Sequence, residues 1–327
     1  MTILITGSSG LLGSAIIDLI NTNHSQIKNL KEKYGFVFLS SKNGDLRNID
    51  ECHLLFKKHK PKVVIHLACN VGGLFKNMSK KVQMFNDNLL INNNILQCCQ
   101  YYKVELLVNM LSTCVFPDNI EYPLTEEKLH NGEPHHSNYG YAYMKRMLEV
   151  GSRLYHEVYG IKIINIIPTN IYGENDNFNL KDSHVIPALI HKCFLAKKNN
   201  TKFEVKGSGK PFRQFIFSKD LAGIILKLTE MSLKNECYSF LNIIASPIEE
   251  YSIEEIAFKI ADIFDLDKKN IKFEHNIKDK LNDGQLKKTA SNEKLMSLLK
   301  NFQFTDIEIG LIETIYWFKS RYPNLRQ

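Results

Sequence analysis

Thr2-Ile3-Leu4-Ile5-Thr6 runs into Gly7-Ser8-Ser9-Gly10-Leu11-Leu12-Gly13 and then Ser14-Ala15-Ile16-Ile17, an apolar strand that breaks into a glycine-spaced turn and resumes as an amphipathic helix. A dinucleotide fingerprint requires this order. Gly7 allows the tight turn, Gly10 lets backbone approach a pyrophosphate, and Gly13 packs helix against strand while the helix N-terminus faces the phosphates. The plain alternative is an ordinary strand-loop-helix. The spacing G-x-x-G-x-x-G is a variant of G-x-G-x-x-G.

Moving outward, Phe36 to Ser40 reads as a second strand ending in Ser40-Ser41-Lys42. An acidic residue there would suit the 2'-hydroxyl of NAD, whereas hydroxyls plus a cation suit the 2'-phosphate of NADP. Lys42 supplies that cation or is one of the chain's many solvated lysines. A helix follows from about Ile49 to His59, then the apolar strand Val63 to Ala68 and the turn Asn70-Val71-Gly72-Gly73. Helical spacing from Lys81 to Tyr102 offers Phe85, Leu89, Ile95 and Leu96 to a core, with Cys98 and Cys99 as structural thiols. The strand Leu106 to Leu111 delivers Ser112-Thr113-Cys114 at its carboxyl end, where open α/β sheets bind ligands.

Ser137-Asn138-Tyr139-Gly140-Tyr141-Ala142-Tyr143-Met144-Lys145 opens the next helix, which Gly160 ends. Only Tyr141 among these tyrosines has a lysine four residues on, so phenol and ammonium share one helix face. A neighbouring cation favours phenolate and brings a group of pKa about 10 toward the working range. A surface helix rich in Tyr and Lys gives the same spacing by chance. Ser112 can bond the substrate oxygen that Tyr141 addresses. Cys114 alone would be a core thiol. On an extended segment Cys114 and Ser112 share a face.

The strand Lys162 to Ile167 leads into Pro168-Thr169-Asn170-Ile171-Tyr172-Gly173. His184 precedes a helix from about Pro187 to Lys197, and Arg213 and Lys192 are phosphate binders by type. Phe240 to Ile244 resembles a last sheet strand, and Ser252-Ile253-Glu254-Glu255 is a capping box opening a helix to about Phe264. Thr305 to Tyr322 reads as a C-terminal helix carrying Trp317, the chain's one tryptophan.

Strand-helix alternation from residue 2 to about 173 predicts an α/β fold, a doubly wound parallel Rossmann sheet over 1–175 that recruits the strand near 240–244. Residues 176–327 are mainly a smaller α/β substrate-binding domain. At 327 residues with 44% hydrophobic content a large core is available. The net charge of +7 is not gathered into a basic arm, so no nucleic acid is expected, and an anionic ligand accounts for it. Seven cysteines without a Cys-x-x-Cys pair point to a reducing compartment and to no metal. The first apolar run is too short for a signal peptide, and no stretch reaches the roughly 20 apolar residues that span a bilayer. A soluble cytoplasmic protein with no membrane contact is expected.

With Gly7, Gly10, Gly13, Ser112, Tyr141 and Lys145 in this order, the chain resembles the extended short-chain dehydrogenase/reductases that act on nucleotide sugars. Asn70-Val71-Gly72-Gly73, Leu111 to Pro117, Pro168 to Gly173, Asp176 to Asn179, Ser183 to Ala188 and Asp283 to Lys288 narrow the match. They are similar to the branch that turns GDP-4-keto-6-deoxy-D-mannose into GDP-L-fucose by 3,5-epimerisation and 4-reduction with NADP(H). The resemblance covers almost the whole chain. It implies Ser112, Tyr141 and Lys145 as a reductase triad and Cys114 with His184 as an epimerisation acid-base pair. It implies cofactor contacts at Gly7, Ser8, Ser9, Gly10, Leu11, Leu12, Gly13, Met110, Leu111, Ser112, Thr113, Lys145, Pro168, Thr169, Asn170 and Ile171, to which Lys42, from its place after the second strand, and His184 are added. Nucleotide-sugar contacts are implied at Lys192, Arg213 and Asp283, and at Lys206, where the family usually has Trp. A homodimer through helices 81–102 and 141–159 is implied too. The competing readings are another nucleotide-sugar epimerase or dehydratase that retains NAD(P), and a non-catalytic dinucleotide-binding scaffold.

Overall fold

Short apolar runs pair side by side in the computed structural model, which describes residues 1–22, 28–72, 79–274 and 285–325. The strands are β1 (Thr2–Thr6), β2 (Gly35–Leu39), β3 (Val63–His66), β4 (Leu106–Met110), β5 (Lys162–Pro168) and β6 (Asn170–Tyr172). They continue with β7 (Phe203–Lys206), β8 (Phe212–Arg213), β9 (Phe215–Phe217), β10 (Phe240–Ala245), β11 (Tyr251–Ser252) and β12 (Ile271–Glu274). Six of them form the main sheet in the order β10-β5-β4-β3-β1-β2, all parallel. Both faces are covered, as a parallel sheet requires.

Alternate side chains of each strand serve opposite cores. Ile3 and Ile5 of β1 join Leu12 and Ile16 of helix Leu11–Asn21 and Leu221 and Ile225 of helix Ser218–Leu233. Leu4 joins Phe56 of helix Ile49–His59, Ile95 of helix Lys81–Tyr101 and Leu148 of helix Tyr139–Tyr159. A third core gathers Tyr172, Ile190, Phe203, Ile260 and Phe318 from β6, helix Val185–Asn199, β7 and helices Ile253–Ile263 and Ile307–Arg321, with Phe178 from the segment after β6.

The caps follow local chemistry. Asn48 accepts from the amides of Asp50 and Glu51 to start helix 49–59, and Gly160 ends helix 139–159 at φ 71°. Ser252 and Glu255 form the reciprocal capping box.

Three details differ from the sequence reading. Leu89 is exposed and Phe85 only half-buried, because the inward face of helix 81–101 presents Met84, Asn88, Asn92 and Ile95, and its asparagines satisfy the loop after β3. Residues 170–172, read as the end of the first half, pair with β9 as a separate parallel strand. The C-terminal helix starts at Ile307, where Asp306 accepts from the amide of Glu308. No helix among the described residues is long and apolar enough to cross a membrane.

Candidate active site

Strand β1 lies between β2 and β3, so the chain leaves it at the point where the sheet order reverses and a crevice opens. The glycine turn fills that position. A Cβ at Gly7, whose φ is 68°, would stand 2.7 Å from the Ala68 amide, and one at Gly13 would stand 2.5 Å from Ser8 Cα. Both positions therefore need glycine for close approach. The Ser8 amide donates to Leu39 O at 2.9 Å, tying the turn to the end of β2. Gly10 is the N-cap of helix 11–21, so no side chain caps it, and its first turn holds no carboxylate. Its first amides and the positive end of its dipole face the crevice, and the residues present fit a dinucleotide phosphate. Lys42 is exposed beyond β2, its amide bonded to Ser40 Oγ at 3.3 Å.

A buried polar chain supports this turn. Thr6 Oγ1 accepts from the amides of Leu67 and Ala68 at 3.1 Å each and meets His66 Nδ1 at 2.9 Å. His66 Nε2 donates to Asn92 Oδ1 at 3.2 Å, and Asn92 Nδ2 donates to Met144 Sδ at 3.1 Å. Burial lowers the His66 imidazole to about 4, so it is neutral and serves as a strut. Asn88 completes the support by accepting from the Asn70 amide at 2.6 Å and donating to Asn70 O at 2.9 Å.

At the end of β4, four of the sequence candidates come together. Lys145 is buried, donates to Met110 O at 2.5 Å and lies 5.7 Å from the centroid of the Tyr141 ring. Residues 113–115 form a 3-10 turn rather than an extended segment, with Ser112 Oγ accepting from the Cys114 amide at 3.3 Å. Arg146, on the same helix as Tyr141, holds that turn through Nε to Val115 O at 2.7 Å. Met110, Leu111 and Thr113 are buried beside it. Pro168 and Thr169 are buried at the end of β5, while Asn170 and Ile171 lie in β6.

The protonation states differ from those the spacing suggests. Burial and the neighbouring Cys69 and Cys114 thiols push the Tyr141 phenol well above its ordinary value, which favours the neutral phenol over phenolate. Burial also raises the Cys114 thiol, opposed by Lys288, Ser112 and Lys145.

Two of these neighbours, Cys69 and Lys288, were missed as site residues. Cys69 Sγ donates toward the Tyr141 hydroxyl at 4.0 Å. Lys288 ends the Asp283-to-Lys288 motif, but nothing local marks it as facing a thiol. Burial lowers its ammonium to about 8, with Cys114 and Asp118 opposing and Arg213 adding to the shift. Its placement comes from a strap that crosses the site. Gln285 Nε2 donates to Asp118 Oδ1 at 2.7 Å and Tyr122 Oη to Lys287 O at 2.6 Å. Phe212 and Leu124 amides donate to Leu286 O and Thr289 O at 2.9 and 2.8 Å, and Gln214 clasps Ala290 by its carbonyl and amide.

The remaining candidates lie after β6 in the chain. His184 is the exposed N-cap residue of helix 185–199. Lys192 donates to Glu204 O at 3.1 Å, and burial followed by Lys206 lowers its ammonium. Lys206 is exposed at the end of β7, and Arg213 lies in β8 with Nη1 on Phe212 O at 2.7 Å. Asp283 and Gly73 lie outside the described residues.

Comparison with known proteins agrees with this geometry. Residues 3–243 match the model of the NAD dependent epimerase/dehydratase family. GDP-L-fucose synthase of Dictyostelium discoideum is 44% identical, over 100% of this chain and 98% of its own. A probable GDP-L-fucose synthase of Drosophila melanogaster is 38% identical, over 99% of each. A GDP-L-fucose synthetase from Naegleria fowleri, crystallised bound to NADP, superposes with a TM-score of 0.87 at 44% identity, covering 100% of this chain and 95% of that one.

Proposed function

Because the chain belongs to the NAD dependent epimerase/dehydratase family and, within it, to the GDP-L-fucose synthases, we propose that it converts GDP-4-keto-6-deoxy-D-mannose to GDP-L-fucose by 3,5-epimerisation and NADPH-dependent 4-reduction. The observation that carries this reading is the convergence of Tyr141, Lys145, Ser112 and Cys114 at the end of β4, next to the glycine turn.

The dinucleotide, when bound, supplies the hydride for C4. Gly7 to Gly13, Lys42, Met110 to Thr113, Lys145, Pro168 to Ile171 and His184 are the residues assigned to hold it. Tyr141 and Ser112 donate to the C4 oxygen, which acidifies the flanking C3 and C5 hydrogens by stabilising the enolate. Each inversion then needs an acid and a base on opposite faces of the sugar. Cys114 is assigned one role and His184 the other. Burial holds the Cys114 thiol above its ordinary range, and Lys288, Ser112 and Lys145 oppose that shift. In the reduction Tyr141, kept protonated, delivers its proton to the same oxygen. Lys192, Lys206, Arg213 and Asp283 are assigned to the nucleotide diphosphate and sugar.

The partner in assembly is a second copy. Helices 81–101 and 139–159 pack on each other, Gly151 against Leu96, and leave Val82, Leu89, Leu90, Met147, Leu154 and Val158 exposed. Two such pairs stacked together bury this apolar band. Leu154→Glu with Val158→Glu is expected to halve the mass in sedimentation equilibrium, and an unchanged mass removes these helices from the interface. Seven unpaired cysteines support the cytoplasm as the working compartment.

The deciding experiment incubates the protein with GDP-4-keto-6-deoxymannose and NADPH in deuterium oxide. Stoichiometric NADPH oxidation with deuterium at C3 and C5 of the product is expected. Turnover without net oxidation indicates an epimerase or dehydratase that retains its cofactor. Dinucleotide binding with no turnover leaves only a scaffold.

A further inference from the structure

A cavity of about 530 Å³ lies against the glycine turn, lined by Ser9, Asn175, Trp317, Arg321 and Asn324. Three stretches remote in sequence meet there: Ser9 of the turn after β1, Asn175 shortly after β6, and the last turn of helix 307–321 with Asn324 beyond it. That helix is anchored from behind. Trp317 stacks on buried Phe178 at 5.9 Å between centroids, and Phe178 packs on Phe318 at 4.9 Å. Arg321, four residues beyond Trp317, shares its helix face and lines the same space.

Arg321 is the one charged side chain among the residues lining the cavity, which favours an anion there. On one side helix 11–21 presents an N-terminus with no carboxylate in its first turn, and Ser9 adds a hydroxyl donor. On the other stands a guanidinium with donors in a planar fork that matches phosphate. We propose that the last turn of helix 307–321 is the outer wall of the dinucleotide site, with Arg321 set against a phosphate of the bound dinucleotide across from Ser9. This rests on the dinucleotide reading above and extends it to a segment about 300 residues away in the chain, which no fingerprint covers. Either the diphosphate or the 2'-phosphate offers this chemistry.

Trp317 is the only tryptophan, so its emission reports on the cavity directly. NADPH and NADH are titrated against the full chain and its Arg321→Ala and Arg321→Glu variants. NADPH is expected to quench Trp317, and its Kd to rise roughly three- to tenfold in R321A and further in R321E, the gap closing at high salt. Equal losses for NADPH and NADH assign the contact to the diphosphate, and a loss confined to NADPH assigns it to the 2'-phosphate; both support the proposal. Unchanged Kd for both dinucleotides overturns it, as does binding seen in nicotinamide fluorescence without a change at Trp317. Those results leave the cofactor reading intact, whereas no NADPH binding by the parent protein overturns both.

Discussion

The Lys145 ammonium donates to the Met110 carbonyl at 2.5 Å, joining helix 139–159 to the last residue of β4. One of its three protons is thereby committed to the sheet, and the charge is held at the floor of the crevice, under the Tyr141 ring. The phenol stays protonated and burial dominates its acidity.

Tyr141→Phe keeps the ring and loses the proton. Reduction of an already epimerised 4-keto substrate is expected to slow by about 10²- to 10⁴-fold, with NADPH affinity unchanged. A loss below threefold in single-turnover reduction would remove Tyr141 from the donor role. Lys145→Met leaves the buried Met110 carbonyl without its donor, costing about 1–3 kcal/mol, to be read from urea unfolding.

Cys114→Ser is expected to suppress deuterium exchange at C3 and C5 while sparing reduction of the epimerised intermediate. Equal losses in the two assays count against a separate epimerisation role for the thiol.

Lys288→Met tests what opposes burial at Cys114. The cation favours thiolate, so its removal should move the pH dependence of Cys114 alkylation to higher pH, measured with iodoacetamide in a Cys69→Ala background. Lys288→Arg should restore the profile. A profile that does not move in the Met variant shows that Lys288 and Cys114 are uncoupled.

Glu149 gives a stability prediction. It is fully buried on helix 139–159, where burial raises its carboxyl but Asn242, His130 and Arg153 outweigh that and lower it overall. Asn242 Nδ2 reaches it at 2.8 Å, at the end of a row in which Asn109, Asn165 and Asn242 stand in register across β4, β5 and β10. A depressed folded pKa stabilises fully above the unfolded value, 4.5, and the contribution is lost as pH falls through the folded value. Glu149→Gln should therefore destabilise at neutral pH by about 2–4 kcal/mol, the gap narrowing below pH 4.5 in urea melts. A gap that stays constant down to acid unfolding refutes the linkage.

Residue order alone determined the parallel sheet, the helices at 49–59 and 139–159, the Gly160 stop and the Ser252 capping box, because each rests on contacts within a few residues or on an apolar run with one outcome. The four-residue helical step that puts Tyr141 and Lys145 on one face is equally local, whereas their meeting with the Ser112 turn at the end of β4 rests on contacts between residues more than 30 apart, Lys145 to Met110 and Arg146 to Val115. Only the tertiary structure decided that Lys145 bonds the sheet rather than ionising Tyr141, that Cys114 sits in a tight turn held by Arg146, and that Lys288 and Arg321 reach the crevice. Desolvation and the meeting of distant segments set those features, and both depend on which surfaces close over a side chain, a quantity that no local pattern of residues carries.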